Sequence, residues 1–519
     1  MKSVKFLHLA DIHLGKKQYN ISQRYQDYFT AFRSILDKAV EQEVDFILIS
    51  GDLIDSDEGV NPSMLREIIA ILNNFKIECS KSLRREIPII CIEGNHENPL
   101  FSDLTWLKLL ADLELIVLLA GVYDRKKNKI DFDEYSFKDH SGGKITINDC
   151  NIYGLNYFGS ATGDLLPLVK NAILKGENNF NILMMHFGIA DYDEKKTGIT
   201  FSPTLKDLHR SIDYLALGHF HMQYSIPENQ PWIFNPGSLE VNEISESFHE
   251  RGAFLIEVLD QKKLQIRRLL SVGGKTKDLF SIPNRRFMVI KDIDISGINN
   301  FSDAQKYIIK ELTKYGVPLK SNQNLDDHNL DKPILYFSVK GVISYSQLDL
   351  DLFSLRSKIY NKFDILGLKL SNKLISSMDQ EIILEGDLGF EEIEKEIFLG
   401  TLTLEKRFDS FKENVFENFQ YLKTHLTGKR SHKKLKSKLE SWILSNKALF
   451  NQLLSEINSK ESLTDNIKVS EKKVRSKDKD DSQEDDIDER EPDLSENDYG
   501  DQLEGGDIGN LIDDEDLDI

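Results

Sequence analysis

At 519 residues and 40% apolar content, the chain is too long for one hydrophobic core and rich enough to build about three. Its three cysteines, Cys79, Cys91 and Cys150, form no CxxC pair, so they indicate neither a thiolate zinc site nor a disulfide framework and fit a reducing, intracellular setting. The formal charge of −20 does not exclude nucleic acid, because residues 480–519 carry 19 acidic groups and one basic, which leaves −2 for residues 1–479.

The first half alternates strand and helix patterns. Residues 4–10 read as a strand that ends in Asp11-Ile12-His13. Over 23–42, Tyr25, Phe29, Phe32, Leu36 and Ala39 fall on one helix face. Residues 46–49 form a buried strand run, broken by an acidic turn that carries Asp52 and Asp55. A helix near 61–75 follows, with Pro62 suited to its first turn. A strand at 87–92 then runs into Gly94-Asn95-His96-Glu97, and a helix is predicted near 102–112. Strands near 145–155, 181–185 and 214–217 lead to two further polar ends, His186-Phe187-Gly188 and Gly218-His219-Phe220-His221. The apolar segment at the start is too short for a signal peptide and no run approaches membrane-spanning length. The expectation is a cytoplasmic protein with no membrane partner.

Ligand-type side chains thus recur at strand ends, where open α/β sheets place their ligands. Asp11 and His13, Asp52, Asn95 and His96, His186, and His219 and His221 use five of the twelve histidines. Any one of these alone reads as a turn former or a satisfied structural group, as His8, His140 and His209 do. All five groups in one order read as a two-metal site, in which one carboxylate bridges ions about 3.5–4 Å apart for phosphoryl displacement. Asp52 is the natural bridge. The pairs Asp11-x-His13 and His219-x-His221 are expected on extended segments, with both side chains of a pair on one side. Mixed nitrogen and oxygen ligation favours manganese, iron or zinc over magnesium or calcium.

DIHLG from Asp11, GDLID from Gly51, GNHE from Gly94, HFG from His186 and GHFH from Gly218, in this order, resemble the calcineurin-like metallophosphoesterases. Within them the chain resembles the SbcD or Mre-eleven family of DNA repair nucleases, with Asn235-Pro236-Gly237-Ser238 and Arg251-Gly252-Ala253-Phe254 in support. The resemblance implies an α/β fold, a β-sandwich flanked by helices over residues 1–275, with two manganese ions per subunit and iron or zinc as alternatives. It implies that Asp11, His13, Asp52 and His221 hold one metal and Asp52, Asn95, His186 and His219 the other. His96 would face the scissile phosphate, protonating the leaving oxygen or stabilising its charge. Two positions depart from the family pattern. Asp55 stands where some members have a second histidine, and Glu97 stands where Asp is usual, its extra methylene expected to alter how His96 is oriented. The resemblance further implies a homodimer through a four-helix bundle, built on the helices that carry Met64, Leu65, Ile68, Leu72, Leu104, Trp106, Leu107 and Leu110.

Residues 252–259 and 263–270 read as a hairpin, and Gly273-Gly274-Lys275-Thr276 as a linker, since Leu269 stands where a phosphate loop needs its first glycine. Over 283–385, strands at 287–295 and 334–342, helices at 304–315 and 348–360 and an extended run at 365–375 predict a small α+β domain. It resembles the family's DNA-contacting capping domain. Within 388–460, Leu404, Phe408, Phe411, Val415, Phe419 and Leu422, and then Leu435, Leu439, Trp442, Leu449, Leu453 and Ile457, mark two amphipathic helices. The family reading is a helix-loop-helix that grips the coiled coil of an ABC ATPase of the SbcC or Rad-fifty type. Lys429, Arg430, Lys433, Lys434, Lys436 and Lys438 read as a solvated face or a phosphate-binding one. Residues 461–519 lose apolar periodicity and end in an acidic tail, the composition of disorder.

The expected function is a two-metal DNA exonuclease and endonuclease that processes double-stranded and single-stranded DNA ends in double-strand-break repair, associated with the nucleoid and with that ATPase. A calcineurin-like phosphatase or phosphodiesterase with a small substrate is the second reading, which the long C-terminal extension disfavours. An inactive DNA-end-binding scaffold is the third.

Overall fold

Two strands show how the first core forms. In β1 (Val4–Leu9) and β2 (Phe46–Ser50), Phe6, Phe46 and Leu48 point into one buried cluster while Leu7, Leu9, Ile47 and Ile49 point into another. Strands buried on both faces read as unbroken apolar runs, which is why both stand out in the sequence. The computed structural model describes residues 3–376 except 56–59, 98–104, 174–178, 191, 194–195, 277, 322–323 and 346–349. Beyond 376 it describes 412–426 and positions 395, 398–400, 402, 441, 444 and 447. The chain divides into two units, residues 1–406 and 407–519.

In the first unit, α1 (Ser22–Glu41), α2 (Pro62–Leu83) and α3 (Trp106–Asp112) alternate with β1, β2, β3 (Ile89–Ile92) and β4 (Val117–Leu118). A small ribbon, β5 (Val122–Asp124) with β6 (Lys129–Asp131), leads to β7 (Lys144–Ile147), β8 (Cys150–Leu155), α4 (Thr162–Ala172) and β9 (Phe180–Met185). Then come α5 (Pro203–Leu208), β10 (Tyr214–Ala216), β11 (Tyr224–Ile226), β12 (Ile233–Asn235), β13 (Gly252–Val258), β14 (Leu264–Gly273) and β15 (Ser281–Asn284). Seven strands pair in the order β15-β14-β13-β1-β2-β3-β4, and six in the order β11-β12-β10-β9-β8-β7. Phe6, Phe46, Leu48, Ile182, Met184 and Phe234 fill the space between the two sheets. Helices α1 to α3 cover the outer face of the larger sheet, and α4 and α5 that of the smaller. This is the expected β-sandwich flanked by helices.

The topology positions the site. β1, β2 and β3 run parallel, as do β8, β9 and β10, so the loops after β1, β2, β3, β9 and β10 all leave from carboxyl ends. Those loops carry the predicted ligands.

Three local expectations are corrected. The predicted strand at 145–155 is a hairpin, β7 with β8, because Asn148 and Asp149 both take left-handed φ (47° and 64°) in a two-residue turn. Helix α2 continues past residue 75 to Leu83, since Cys79 keeps the apolar face buried until Arg84 turns left-handed. The stripe expected to form a dimer is spent inside the chain: Met64, Ile68, Leu72, Leu107 and Leu110 are buried in its own core, with Leu65 and Trp106 packed against it. The apolar side chains that α2, α3 and the turn after them expose are Ile77, Leu109 and Leu113. Leu104 lies outside the described residues.

A further core follows the sandwich. β16 (Phe287–Asp294), α6 (Phe301–Lys314), β17 (Ile334–Ile343), α7 (Leu352–Lys362) and β18 (Gly367–Ser376) pack Ile290, Ile308, Leu312, Phe337, Leu355 and Ile359 together. Its elements alternate as expected, but its three strands are parallel in the order β16-β17-β18, so this is a β-α-β-α-β unit, of α/β rather than α+β class. Gly274 continues the pairing of β14 toward Asn284, and its N–H donates to the Asn284 carbonyl at 2.8 Å, consistent with a linker and not a phosphate loop.

The junction between the two cores is polar and buried. Arg285, 1% exposed, donates to both Asp27 oxygens at 2.7 and 2.9 Å and to the carbonyls of Asn329, Asp327 and Lys332. Arg24 pairs with the same Asp27 at 2.8 Å and with Glu240 at 3.2 Å, so two cations and two anions balance there.

In the second unit, α8 (Lys412–Leu426) lies within the first of the two predicted C-terminal helices. Its phase differs from the expectation, because Phe416 is buried while Phe419 of the predicted stripe is exposed. The basic cluster at 429–438, most of the second helix and the acidic tail lie outside the described residues. No helix among the described residues is long and apolar enough to cross a membrane.

Candidate metal centre

Four of the residues expected to bind metal hold left-handed backbone conformations: Asp11 (φ 51°), His13 (49°), Asp52 (54°) and His219 (86°). For residues other than glycine each costs on the order of 1 kcal/mol or more, and such strain collects at functional sites. It also corrects the expectation of extended segments: Asp11 and His13, like His219, reach the site from left-handed turns. Local hydrogen bonds hold these turns. The Asp52 carbonyl accepts from the N–H of Ile12 and of His13 at 2.8 and 3.0 Å, and the Gly51 carbonyl accepts from Asp11 N–H.

Glu97 completes that frame. Buried, it accepts from the N–H of Asp52 and Gly94 at one oxygen, both at 2.9 Å, and from Ile54 N–H at the other, 2.8 Å. Its longer side chain therefore clamps the backbone beneath Asp52, whereas the expectation was an effect on the His96 ring. Gly94 has to be glycine, because a Cβ there would collide with the Asp52 carboxylate. Asn235 braces the last loop, donating to the carbonyls of Phe220 and Met222 at 2.6 and 2.7 Å.

The side chains converge around Asp52. Its Oδ2 lies 3.3 Å from His186 Nε2 and 3.9 Å from both His13 Nε2 and His96 Nε2, and its Oδ1 accepts from His96 N–H at 3.1 Å. Asn95 Oδ1 stands 3.0 Å from His186 Nε2 and 3.0 Å from His219 Nδ1. His13 Nε2 stands 3.3 Å from His221 Nε2, which is 3.8 Å from Asp11 Oδ1. Asp11 also accepts from His219 N–H at 3.0 and 3.1 Å. All eight predicted residues therefore belong to one connected cluster.

Tautomers show what this cluster fits. His186 Nδ1 donates to the Ser50 carbonyl at 2.7 Å, so in the neutral ring Nε2 is a lone pair aimed at two oxygens, Asn95 Oδ1 and Asp52 Oδ2. His221 Nδ1 donates to Glu246 at 2.7 Å, which leaves its Nε2 lone pair facing His13 and Asp11. Buried His13 Nδ1 makes no hydrogen bond, although Asp55 stands 3.2 Å away. Lone pairs that face one another without protons call for cations, and two such gatherings meet at Asp52 Oδ2. The donors fit a pair of divalent ions. Without metal a proton takes one such place: burial lowers the His186 pKa, but the adjacent Asp52 outweighs it and holds the ring at about 9. Asp52 itself stays well below the carboxylate range, since His186 and His13 outweigh its burial.

Two groups, Glu246 and Lys196, complete the site without having stood out in the sequence. Glu246 fixes the His221 tautomer; burial raises its pKa, but His221 brings it down to about 2. A ligand histidine needs such an acceptor, yet Glu240, Glu243 and Glu250 are sequence neighbours of equal chemistry, so only the fold could choose. Lys196 donates to the His219 carbonyl at 3.1 Å and lies 3.3 Å from His221 Nε2. Asp55 pairs with Lys16 at 3.2 Å, and its carbonyl accepts from His96 Nδ1. His8, in contrast, is satisfied inside the sandwich by Tyr214 and Ser50.

Replacing Glu246 with Gln is expected to weaken metal binding by about tenfold, and with Ala by up to about a hundredfold, while the melting temperature moves little. Calorimetric titration of manganese into the metal-free protein checks it; equal affinity in all three proteins would remove Glu246 from the site.

Comparison with known proteins agrees with the geometry. Residues 4–223 match the family model described as calcineurin-like phosphoesterase. The chain is 28% identical over 341 residues to the DNA double-strand break repair protein Mre11 of Methanosarcina acetivorans, covering 60% of this chain and 49% of that one. It is 31% identical over 222 residues to the protein of the same name from Sulfurisphaera tokodaii, covering 43% and 50%. To that from Archaeoglobus fulgidus it is 28% identical over 389 residues, covering 73% and 82%. The match thus spans about half the length of the first two relatives and most of the third. With its ligand-bearing loops inside the matched segment, the chain is similar over residues 4–223 to the calcineurin-like phosphoesterases, and beyond them to proteins named DNA double-strand break repair protein Mre11.

Proposed function

We propose that the protein is a manganese-type, two-metal nuclease that cuts DNA phosphodiesters at broken ends, working with a coiled-coil ABC ATPase and as a homodimer whose contact lies outside the helix stripe that the core buries. The observation that carries this is the convergence of two sets of histidine and oxygen donors on Asp52 Oδ2, in a chain whose relatives are named for double-strand break repair. Asp11, His13, Asp52 and His221 would hold one ion, and Asp52, Asn95, His186 and His219 the other. The ion pair, when bound, supplies Lewis-acid polarisation of the phosphate and activation of water.

The chain's own residues do the rest. His96 is fixed through its backbone N–H to Asp52 and through Nδ1 to the Asp55 carbonyl. Its Nε2 therefore faces the centre, and the ring is 35% exposed, so a phosphate can reach it. From there His96, when its ring is doubly protonated, can give its Nε2 proton to the leaving oxygen and return to the neutral ring, or stabilise the charge as the imidazolium. Iron and zinc suit the same donors, so the metal in use is a matter for assay. The core of β16 to β18 is the proposed DNA-contacting cap. Residues 388–460 are the proposed ATPase-binding segment.

Linear and hairpin DNA, and a small phosphodiester, incubated with manganese and either wild type or His96→Ala provide the test. Cleavage of DNA that the substitution lowers by about a hundredfold or more is the expected outcome. Preference for the small ester would replace the substrate assignment, and wild-type inertness with intact metal binding would leave a scaffold.

A further inference from the structure

Lys196 is the feature of the centre that the ligand assignments leave unused. It lies in the connection between β9 and α5, whose return is tied down: Ala190 N–H donates to the Ile199 carbonyl at 2.9 Å, and Ile199 N–H to that of Gly188 at 2.8 Å. Gly198 lets the two backbones close, since a Cβ there would lie 2.5 Å from Ala190 N. Two residues earlier, the Lys196 ammonium reaches the His219 carbonyl and the His221 Nε2 lone pair. Its described hydrogen-bond partners are a carbonyl and an imidazole, and the Glu246 carboxylate, which feels its charge, is not hydrogen-bonded to it. Lys16, in contrast, pairs with Asp55.

The ammonium therefore lies 3.3 Å from the nitrogen with which His221 would meet a metal ion, the Asn242 amide nitrogen standing 3.4 Å from the same atom. Glu246 keeps the proton on Nδ1, so Nε2 can serve only one cation at a time. Once the metal holds that lone pair, Lys196 loses one acceptor and keeps the other, the His219 carbonyl. A full positive charge is then held at the rim of the ion pair with unfilled donor capacity, where a phosphate on the metals presents anionic oxygens. Ammonium-to-phosphate hydrogen bonds are charge-assisted and among the stronger ones.

Resting on the metallophosphoesterase reading of this centre, we infer that Lys196 is a substrate-contacting residue. Its ammonium competes with the metal for His221 in the metal-free protein and moves to a non-bridging phosphate oxygen in the loaded one. The same side chain thus weakens metal uptake and strengthens phosphate binding.

Wild type, Lys196→Gln and Lys196→Arg separate the alternatives. Calorimetry of manganese binding to the metal-free proteins should show Lys196→Gln binding the weaker ion severalfold more tightly. Inorganic phosphate titrated into the manganese-loaded proteins should bind Lys196→Gln about tenfold less well, with Lys196→Arg close to wild type. KM for a small phosphodiester should rise in the Gln variant more than kcat falls. Unchanged phosphate affinity in Lys196→Gln overturns the inference. So does a joint fall in metal affinity, phosphate affinity and melting temperature that arginine fails to rescue, which would make Lys196 a structural tether. Wild type that binds no manganese defeats the metal-centre reading itself, and is distinguished because the failure appears before any substitution.

Discussion

Asp52→Asn should disable both halves of the centre at once. Asp52 Oδ2 is the oxygen that the two groups of donors share, within 3.3 Å of His186 and 3.9 Å of His13. Loss of a partner that only orients a metal ligand costs about 10–100-fold in affinity, so loss of a bridging carboxylate should exceed a hundredfold for each ion. Manganese-dependent turnover should drop by about a thousandfold or more, equivalent to about 4 kcal/mol in the barrier. The fold should survive, because an asparagine Oδ1 can still accept from His96 N–H and the backbone clamp from Glu97 is untouched. Metal titration and cleavage assays on the same preparation, with circular dichroism as the folding check, decide the matter. Full manganese-dependent cleavage by Asp52→Asn would show that the centre is assembled around some other group.

The second large effect lies away from the chemistry. Arg285→Ala removes a buried guanidinium that holds Asp27 on α1 and three carbonyls of the loop between α6 and β17. Breaking a buried ion pair by deleting one partner typically costs about 3–5 kcal/mol, because the other charge stays buried and unpaired. Here Arg24 still pairs with Asp27, but the three carbonyls lose their donor. A fall in melting temperature on the order of 10 °C is expected, with the core of β16 to β18 melting separately from the sandwich. Lys at this position keeps the charge but not the planar fork, so it should recover only part of the loss. A double-mutant cycle with Asp27→Ala should give a coupling well above 1 kcal/mol. An Arg285→Ala protein that melts within a degree of wild type would show that the junction contributes nothing to stability.

Much of the architecture was legible because burial on both faces leaves a plain record. Phe46-Ile47-Leu48-Ile49 cannot be anything exposed, and polar residues that follow it abruptly mark a strand end. The hairpin of β7 and β8 escaped because Asn148-Asp149 interrupts a mainly apolar segment by only two residues. Helix stripes carried the same ambiguity in another form. Met64, Ile68 and Leu72 have the spacing of a packing face whether the partner is another subunit or the chain's own sheet, and only the folded chain shows that it is the sheet.

The sequence by itself determined which residues could bind metal and in what order they come, because ligand chemistry belongs to side-chain type and position relative to strands. Asp11, His13, Asp52, Asn95, His186, His219 and His221 as candidate ligands, and His96 beside them as a candidate acid, were all readable on those grounds. The tertiary structure alone decided how they are presented. Left-handed turns at Asp11, His13, Asp52 and His219, the Glu97 clamp, the Glu246 contact that sets a tautomer and the Lys196 ammonium above His221 are all choices among chemically equal neighbours. Those choices depend on contacts as far as 208 residues apart along the chain, such as His13 with His221, which no local pattern of residues encodes.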